Sequence, residues 1–590
     1  MILFIINDLL NTVPQFLSKH LTTIIFLFFC TQLYYFSILI AKTDSNFNYR
    51  WLSFWLHLIA VFSIFIFYIK NSVSKRHLQK IHHQDILIFG IIFIFVEAIS
   101  FFNIPNYPFV SVGDELRDGG LNAMEIDNGT IKNIFEYGSY DAHGLIIPAI
   151  TSLSYRIFGG SVLTYRIPAT IFACFDAILI FTILKLLISQ TTAIFGTLIL
   201  ITLPLHLFFA RTQIVVSLNS FLSSLIILAL FFLLKKGRSL DYVLMGTIIG
   251  FAFGFHAAIR VIAILVLLAI IAIDSSKIIE QLINKKNEIQ KKLLNITLLT
   301  FFCFIGFGPR LLFTNPTNFF HTSRLVLQEE TPLIRLSQDT SALDTIKQNY
   351  VKSLMVWFYE PTHSFFPDEK PILPPLLALF FILGIGYSLF ILKNTFLYIL
   401  IYLAIVTPLF SSALTDQINS DHRLSPLLPI GAIFVSIGIS YIFSFIHHKY
   451  LRYIFWILTI GYLIFQTWKF FAYRLADKNY EMKDYLSMHL IQFIKSSPIP
   501  DSLCLFVSPT NYENLNFDHY IEQYRYFLPN TIVQTVSDEK ISDSEAYLIN
   551  GTCPENYEGA TKQKNIPCTT ASNKYYCPEN FDGNITIHFQ

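Results

Sequence analysis

Long apolar stretches separated by short polar ones dominate the chain. Runs of at least about 16 apolar residues, the length scale of a bilayer-crossing helix, occupy 20–42, 51–69, 84–104, 161–188, 191–210, 213–234, 241–256, 257–273, 293–313, 373–392, 395–413, 424–446 and 451–471. The pattern predicts an all-α polytopic membrane protein with about 13 transmembrane helices. Asn7, Asp8, Asn11 and Pro14 interrupt the first 20 residues too often for a signal peptide or a span, so that segment reads as interfacial and amphipathic. After about residue 472 the period shortens. The β-like runs Leu503 to Val507, Thr531 to Val536 and Ala546 to Ile549, with a helix expected over Phe517 to Phe527, predict a small C-terminal α/β or α+β domain. The expected organisation is 1–83 as an interfacial segment with two spans, 84–472 as the main transmembrane module, and 473–590 as a soluble domain. No internal repeat or low-complexity linker interrupts it.

Composition agrees. Of 590 residues 53% are hydrophobic and only 14% charged, against roughly 25% charged in soluble domains. A formal charge of +2 excludes a nucleic-acid binder held by bulk charge and an acidic disordered chain. Basic residues in short connections are retained in the cytoplasm. Lys70, Lys75, Arg76 and Lys80, then Lys235, Lys236 and Arg238, then Lys277, Lys285, Lys286, Lys291 and Lys292, then Lys449 and Arg452 all fall on one side if the spans alternate as counted. The N-terminus is then cytoplasmic, while loops 105–160 and 314–372 and the C-terminal domain lie outside. Cys30, Cys174 and Cys303 fall in spans as small apolar fillers. Cys504, Cys553, Cys568 and Cys577 fall in the external domain, an even number compatible with two disulfides of unreadable connectivity.

The external loops carry the unusual residues. Asp114 and Glu115 follow a span by about ten residues and precede an amphipathic stretch, a position that an N-cap alone would explain. Further on come Asp141-Ala-His143-Gly144, a second amphipathic stretch ending Tyr155-Arg-Ile-Phe158-Gly-Gly-Ser161, and Arg166. In their order these elements resemble the GT-C glycosyltransferases of the family 39 type, the protein O-mannosyltransferases and lipid A aminoarabinose transferases with their bacterial relatives. Ala210-Arg211-Thr, the glycine-rich Gly250 to Arg260 stretch with His256, Gly308-Pro-Arg310 through Pro316, Phe319 and Arg324, and His422-Arg423 through Pro429 resemble later motifs of that group. The resemblance covers about 84–470.

It implies a GT-C fold and a catalytic module that moves a sugar from a polyprenyl phosphate-linked donor to a glycan, lipid or protein acceptor on the extracytoplasmic face of a bacterial inner membrane. Asp114 would be the general base, with Glu115 its partner or else an anchor of the loop to an Arg. A single displacement would invert the anomeric centre. The chain departs from the group in one respect: no carboxylate follows Arg211 at the position where many members carry one, which argues against a divalent metal held by two acidic loops. No metal or other cofactor is assigned.

One observation stands apart from the resemblance. Arg166, Arg211, Arg260, Arg310 and Arg423, with His256 and His422, lie near the outer ends of spans in a chain that otherwise keeps its cations inside. Singly, each could snorkel to lipid phosphate. Together they suggest an anion site, because guanidinium binds phosphate through paired donors and keeps its charge when desolvated. Arg260 and Arg423 lead, followed by Arg211, Arg310 and Arg166. Asp141, His143 and His256 are candidates for positioning the acceptor or the loop, or are ordinary turn residues. Trp357 to His363 could stack on sugar or sit in the interfacial aromatic belt. The competing class is a transporter or flippase for an anionic substrate. That class would show duplicated halves and membrane-embedded acids, whereas the midspan carboxylates here are Glu97 and Asp176 alone.

Overall fold

The computed structural model describes residues 2–44, 46, 48–72, 83–104, 115–136, 144–283, 289–313, 342–363, 370–415, 418–474 and five strands between 503 and 589. Every one of the thirteen apolar runs is helical. Among the described residues ten helices are long and apolar enough to cross a membrane; the run 191–210 is a pair, Gln190–Thr202 and Pro204–Arg211, bent by 64°. The bend follows from Pro204, which offers no N–H to continue the first helix but is well placed to start the second. The runs 84–104 and 241–256 coincide with shorter apolar helices, Leu87–Phe101 and Ser239–Phe253. Residues 2–20 do not form a separate segment: Ile2–Thr43 is one continuous helix.

The two ends of the bundle are chemically distinct. At one end buried carboxylates hold the basic residues of the connections. Asp241 accepts from Tyr68 at 2.9 Å and from Arg238 at 2.8 Å, and Asp274 accepts from Tyr242 at 2.7 Å and Lys292 at 2.9 Å. The opposite end gathers the segments 99–104, 115–136, 144–166, 211–219, 254–260, 308–313 and 418–427. Tyr68, Arg238 and Lys292, beside connections expected on one side, thus stand at an end of the bundle apart from the described parts of the motif loops.

Close helix packing sets these positions. A Cβ at Gly246 or Gly250 of Ser239–Phe253 would run into the backbone of Leu299 or Cys303 in Ile289–Phe307, and one at Gly306 into Thr247. Small residues let two backbones touch, which supplies dispersion contact where lipid offers no hydrophobic driving force.

The C-terminal strands form one mixed sheet in the order β2-β1-β3-β5-β4, with β1 Leu503–Val507, β2 Thr531–Thr535, β3 Glu545–Asn550, β4 Lys562–Pro567 and β5 Asn584–Phe589. Pairs β1/β2 and β3/β5 are parallel; β1/β3 and β4/β5 are antiparallel. The first three strands are those read from the sequence. β4 escaped because Lys-Gln-Lys-Asn is polar throughout, as an edge strand tolerates. β5 carried a legible alternation, Ile585, Ile587 and Phe589. The expected helix 517–527 and Cys553, Cys568 and Cys577 lie outside the described residues.

Candidate active site at one end of the helix bundle

Glu115 is the anchor of the first loop. Fully buried, its carboxylate accepts from Arg166 Nε at 2.8 Å, Arg166 Nη2 at 2.9 Å and the Gln213 backbone N–H at 2.9 Å. The loop-anchoring alternative therefore describes Glu115. Two donors meeting two carboxylate oxygens in parallel hold geometry as well as charge. Arg166 gives its remaining Nη1 to the Ile104 carbonyl at 2.7 Å. Glu115 opens a π-helical turn, Leu116–Leu121, that leads into the helix Asn122–Asn128, where a simple amphipathic helix was expected. Asp114, Asp141 and His143 lie outside the described residues.

The five arginines are all buried in protein, between 0% and 5% exposed. Lipid snorkelling is thereby corrected for every one of them. Arg211 donates to the carbonyls of Ile99 at 2.9 Å, Ser100 at 2.7 Å and Phe102 at 2.6 Å, gathering the C-terminal turn of His83–Phe101. Arg260 reaches back to the Phe253 carbonyl at 3.1 Å and the Phe255 carbonyl at 2.8 Å, closing the turn that contains Gly254. Arg310 donates Nε to the Phe135 carbonyl at 3.4 Å.

Glycines shape the surroundings of Arg310. A Cβ on Gly144 would collide with both terminal nitrogens of Arg310 and with the Gly254 carbonyl, and one on Gly254 would stand 3.0 Å from Arg310 Nη1. Gly144, Gly254 and Arg310, which belong to three separate motifs, meet at this guanidinium. Gly144→Ala is expected to lower stability by about 1–3 kcal/mol through overpacking, seen as a reduced melting temperature in detergent.

The last motif joins the same end. His422 packs edge-on against His256, ring centroids 5.7 Å apart, and accepts or donates to Ser420 Oγ through Nδ1 at 2.7 Å. Asn219 donates to Ser425 Oγ at 3.0 Å and to the His422 carbonyl at 3.3 Å. Arg423 is buried in the short helix Asp421–Leu424, which packs on the start of Ala257–Ile283 where Arg260 stands. His363 pairs with Ser420 in an isolated parallel β-bridge, with Asp421 N donating to the His363 carbonyl at 2.9 Å. Trp357 belongs neither to a sugar platform nor to an interfacial belt: it is 3% exposed and stacks on Phe381 at 4.6 Å in the bundle core.

Several polar residues were not singled out in the sequence. Gln213, Asn219, Ser220, Ser425 and His206 are all buried near the ends of Pro204–Arg211 and Asn219–Lys236. Asp176, noted only as a midspan acid, accepts from His206, Ser220 and Ser224. The available signal was polarity in an otherwise apolar stretch, since Ser220, Ser223 and Ser224 recur on one helical face. Among the described residues no group of three or more His, Cys, Asp or Glu side chains gathers as a metal site.

Residues 142–307 match the family model described as dolichyl-phosphate-mannose-protein mannosyltransferase, so the resemblance drawn from the motifs is borne out. The matched stretch covers less than a third of the chain and lies within a bundle of helices long and apolar enough to cross a membrane, so the class it points to is an integral membrane glycosyltransferase. Among solved structures the chain is similar to ArnT from Cupriavidus metallidurans bound to undecaprenyl phosphate, at 11% identity over 78% of this chain and 87% of that one, TM-score 0.44. It is also similar to the Archaeoglobus fulgidus oligosaccharyltransferase complexed with zinc and sulfate, at 12% identity and TM-score 0.44 over 75% of this chain, which spans 62% of that enzyme's length. No curated protein sequence matches the chain.

Proposed function

We propose that the protein transfers a sugar from a polyprenyl phosphate-linked donor to a glycan, lipid or protein acceptor on the extracytoplasmic face of a bacterial inner membrane. The observation that carries this reading is the convergence of separated motifs on one end of the bundle, through Glu115 with Arg166, Gly144 and Gly254 with Arg310, and His256 with His422. The family match over 142–307 supports the reaction class. The proposed division follows the organisation 1–83, 84–472 and 473–590, with the second part catalytic.

In this reading the hydroxyl or amine of the acceptor loses its proton to Asp114 as it attacks the anomeric carbon. The bond from that carbon to the phosphate oxygen breaks on the opposite face, and polyprenyl phosphate leaves as an anion. One displacement inverts the centre. Since Glu115 already accepts from Arg166 and Gln213, Asp114 is the carboxylate of the pair available for proton transfer. A general base and a preorganised cation for the leaving group are the two elements the barrier requires. Arg423 and Arg260 are proposed for the phosphate, with Arg310 behind them. Arg166 and Arg211 serve the loops they bind, and Asp141, His143 and His256 position acceptor or loop.

The purified full-length protein in detergent, given radiolabelled undecaprenyl phosphate hexoses and pentoses, is expected to transfer or release sugar from at least one of them. Transport of label across proteoliposomes without any cleavage of the sugar phosphate bond would instead assign the protein to the flippase class.

A further inference from the structure

We propose that the cavity beneath the turn 421–427 is a subsite for one hydroxyl of a sugar, with His206 as the side chain that receives it; the inference rests on the glycosyltransferase reading above. The cavity is lined by the polar Asp176, His206, Ser220 and Ser425 and by the apolar Phe209 and Phe221 among others. It lies beside the proposed reaction site, because Ser425 follows Arg423 by two residues and is tied through Asn219 to the His422 carbonyl.

The hydrogen-bond pattern selects the ligand. Asp176 Oδ2 accepts from Ser220 Oγ at 2.5 Å and stands 3.2 Å from His206 Nε2, while its Oδ1 accepts from Ser224 Oγ. With Nε2 held by the carboxylate, Nδ1 is the ring nitrogen left for another group. That atom has no hydrogen-bond partner among the described residues, although the residue is only 4% exposed. Buried polar atoms in native proteins are generally paired, so an orphan of this kind marks a place for another molecule. A hydroxyl, which both donates and accepts, pairs with that nitrogen whichever ring nitrogen carries the proton. An ionised phosphate offers only acceptors and would face the Asp176 carboxylate, so charge excludes it. A hydroxyl fits the cavity, which has room for about one water-sized group, about 10 Å³.

A sugar hydroxyl could come from the lipid donor or from a glycan acceptor, and the test separates these. Glutamine at 206 can place its amide where Nε2 stood, keeping the Asp176 contact and deleting Nδ1. Binding of bare undecaprenyl phosphate and of undecaprenyl phosphate hexoses is measured for wild-type protein and His206→Gln, together with melting temperature and the KM of oligosaccharide acceptors.

The expected result is an unchanged melting temperature, unchanged binding of the bare lipid, and at least about tenfold weaker binding of the sugar-bearing lipid, the cost of about one hydrogen-bond partner. A rise confined to acceptor KM assigns the hydroxyl to the acceptor. If sugar-lipid affinity and acceptor KM both match wild type, the subsite is overturned while the glycosyltransferase reading stands. If wild-type protein itself gains no affinity from any sugar and transfers none, both fall. Should His206→Gln fail to fold, Ala173→Ser, which narrows the cavity from a lining residue, is expected to give the same selective loss, and wild-type behaviour in that variant overturns the subsite.

Discussion

Replacing Asp114 with Asn is expected to lower the turnover of sugar transfer by about 10²–10⁴-fold, the usual contribution of a positioned general base. Binding of the polyprenyl phosphate donor is expected to persist, because the substitution keeps the side chain's size and touches none of the arginines proposed for the phosphate. The neighbouring carboxylate should behave differently. Glu115 is enclosed by Arg166 and the Gln213 backbone, so its loss should act through stability and loop placement. The measurement is single-turnover transfer in detergent with folding checked by size exclusion and melting temperature. Asp114→Asn turning over at the wild-type rate would remove Asp114 as the base.

The second large effect concerns that buried pair. Glu115→Ala leaves the Arg166 guanidinium, 0% exposed, without the carboxylate that compensates it. Breaking a buried ion pair from one side costs about 3–5 kcal/mol, far more than the net value of the intact pair. Arg166→Ala should cost a similar amount by stranding Glu115. Because both act on one interaction, the double variant Glu115→Leu with Arg166→Met is expected to be much less destabilised than the sum of the singles. Unfolding free energies that simply add would show that the two side chains are not coupled.

The legible part of the candidate site was its chemistry by position. Asp114, Glu115, Arg166, Arg211, Arg260, Arg310 and Arg423 could all be named because charged residues are costly near lipid and stand out from apolar neighbours. Their division of labour was not legible. Arg166 pairs with a carboxylate 51 residues away, and Arg211 with carbonyls more than 100 residues away. Neither spacing follows any helical or strand period. No spacing in the sequence ties Gly144 to Arg310, far along the chain, against which it packs. Trp357 shows the opposite failure, since an aromatic beside Pro and His resembles a surface platform but fills the core against Phe381.

The sequence by itself determined the membrane class, the positions of the apolar runs and three of the five C-terminal strands, whereas the break at Pro204 inside the run 191–210 came from the structure. The former follow from run length and residue period, quantities defined within a few neighbouring residues. Tertiary structure alone decided that Glu115 is an anchor, that five external-looking arginines are buried, and that Asp176 and His206 share a polar cavity. Such facts depend on which distant backbone and side-chain groups a close-packed bundle brings within about 3 Å, the range over which hydrogen bonds form. A linear pattern carries no measure of that distance.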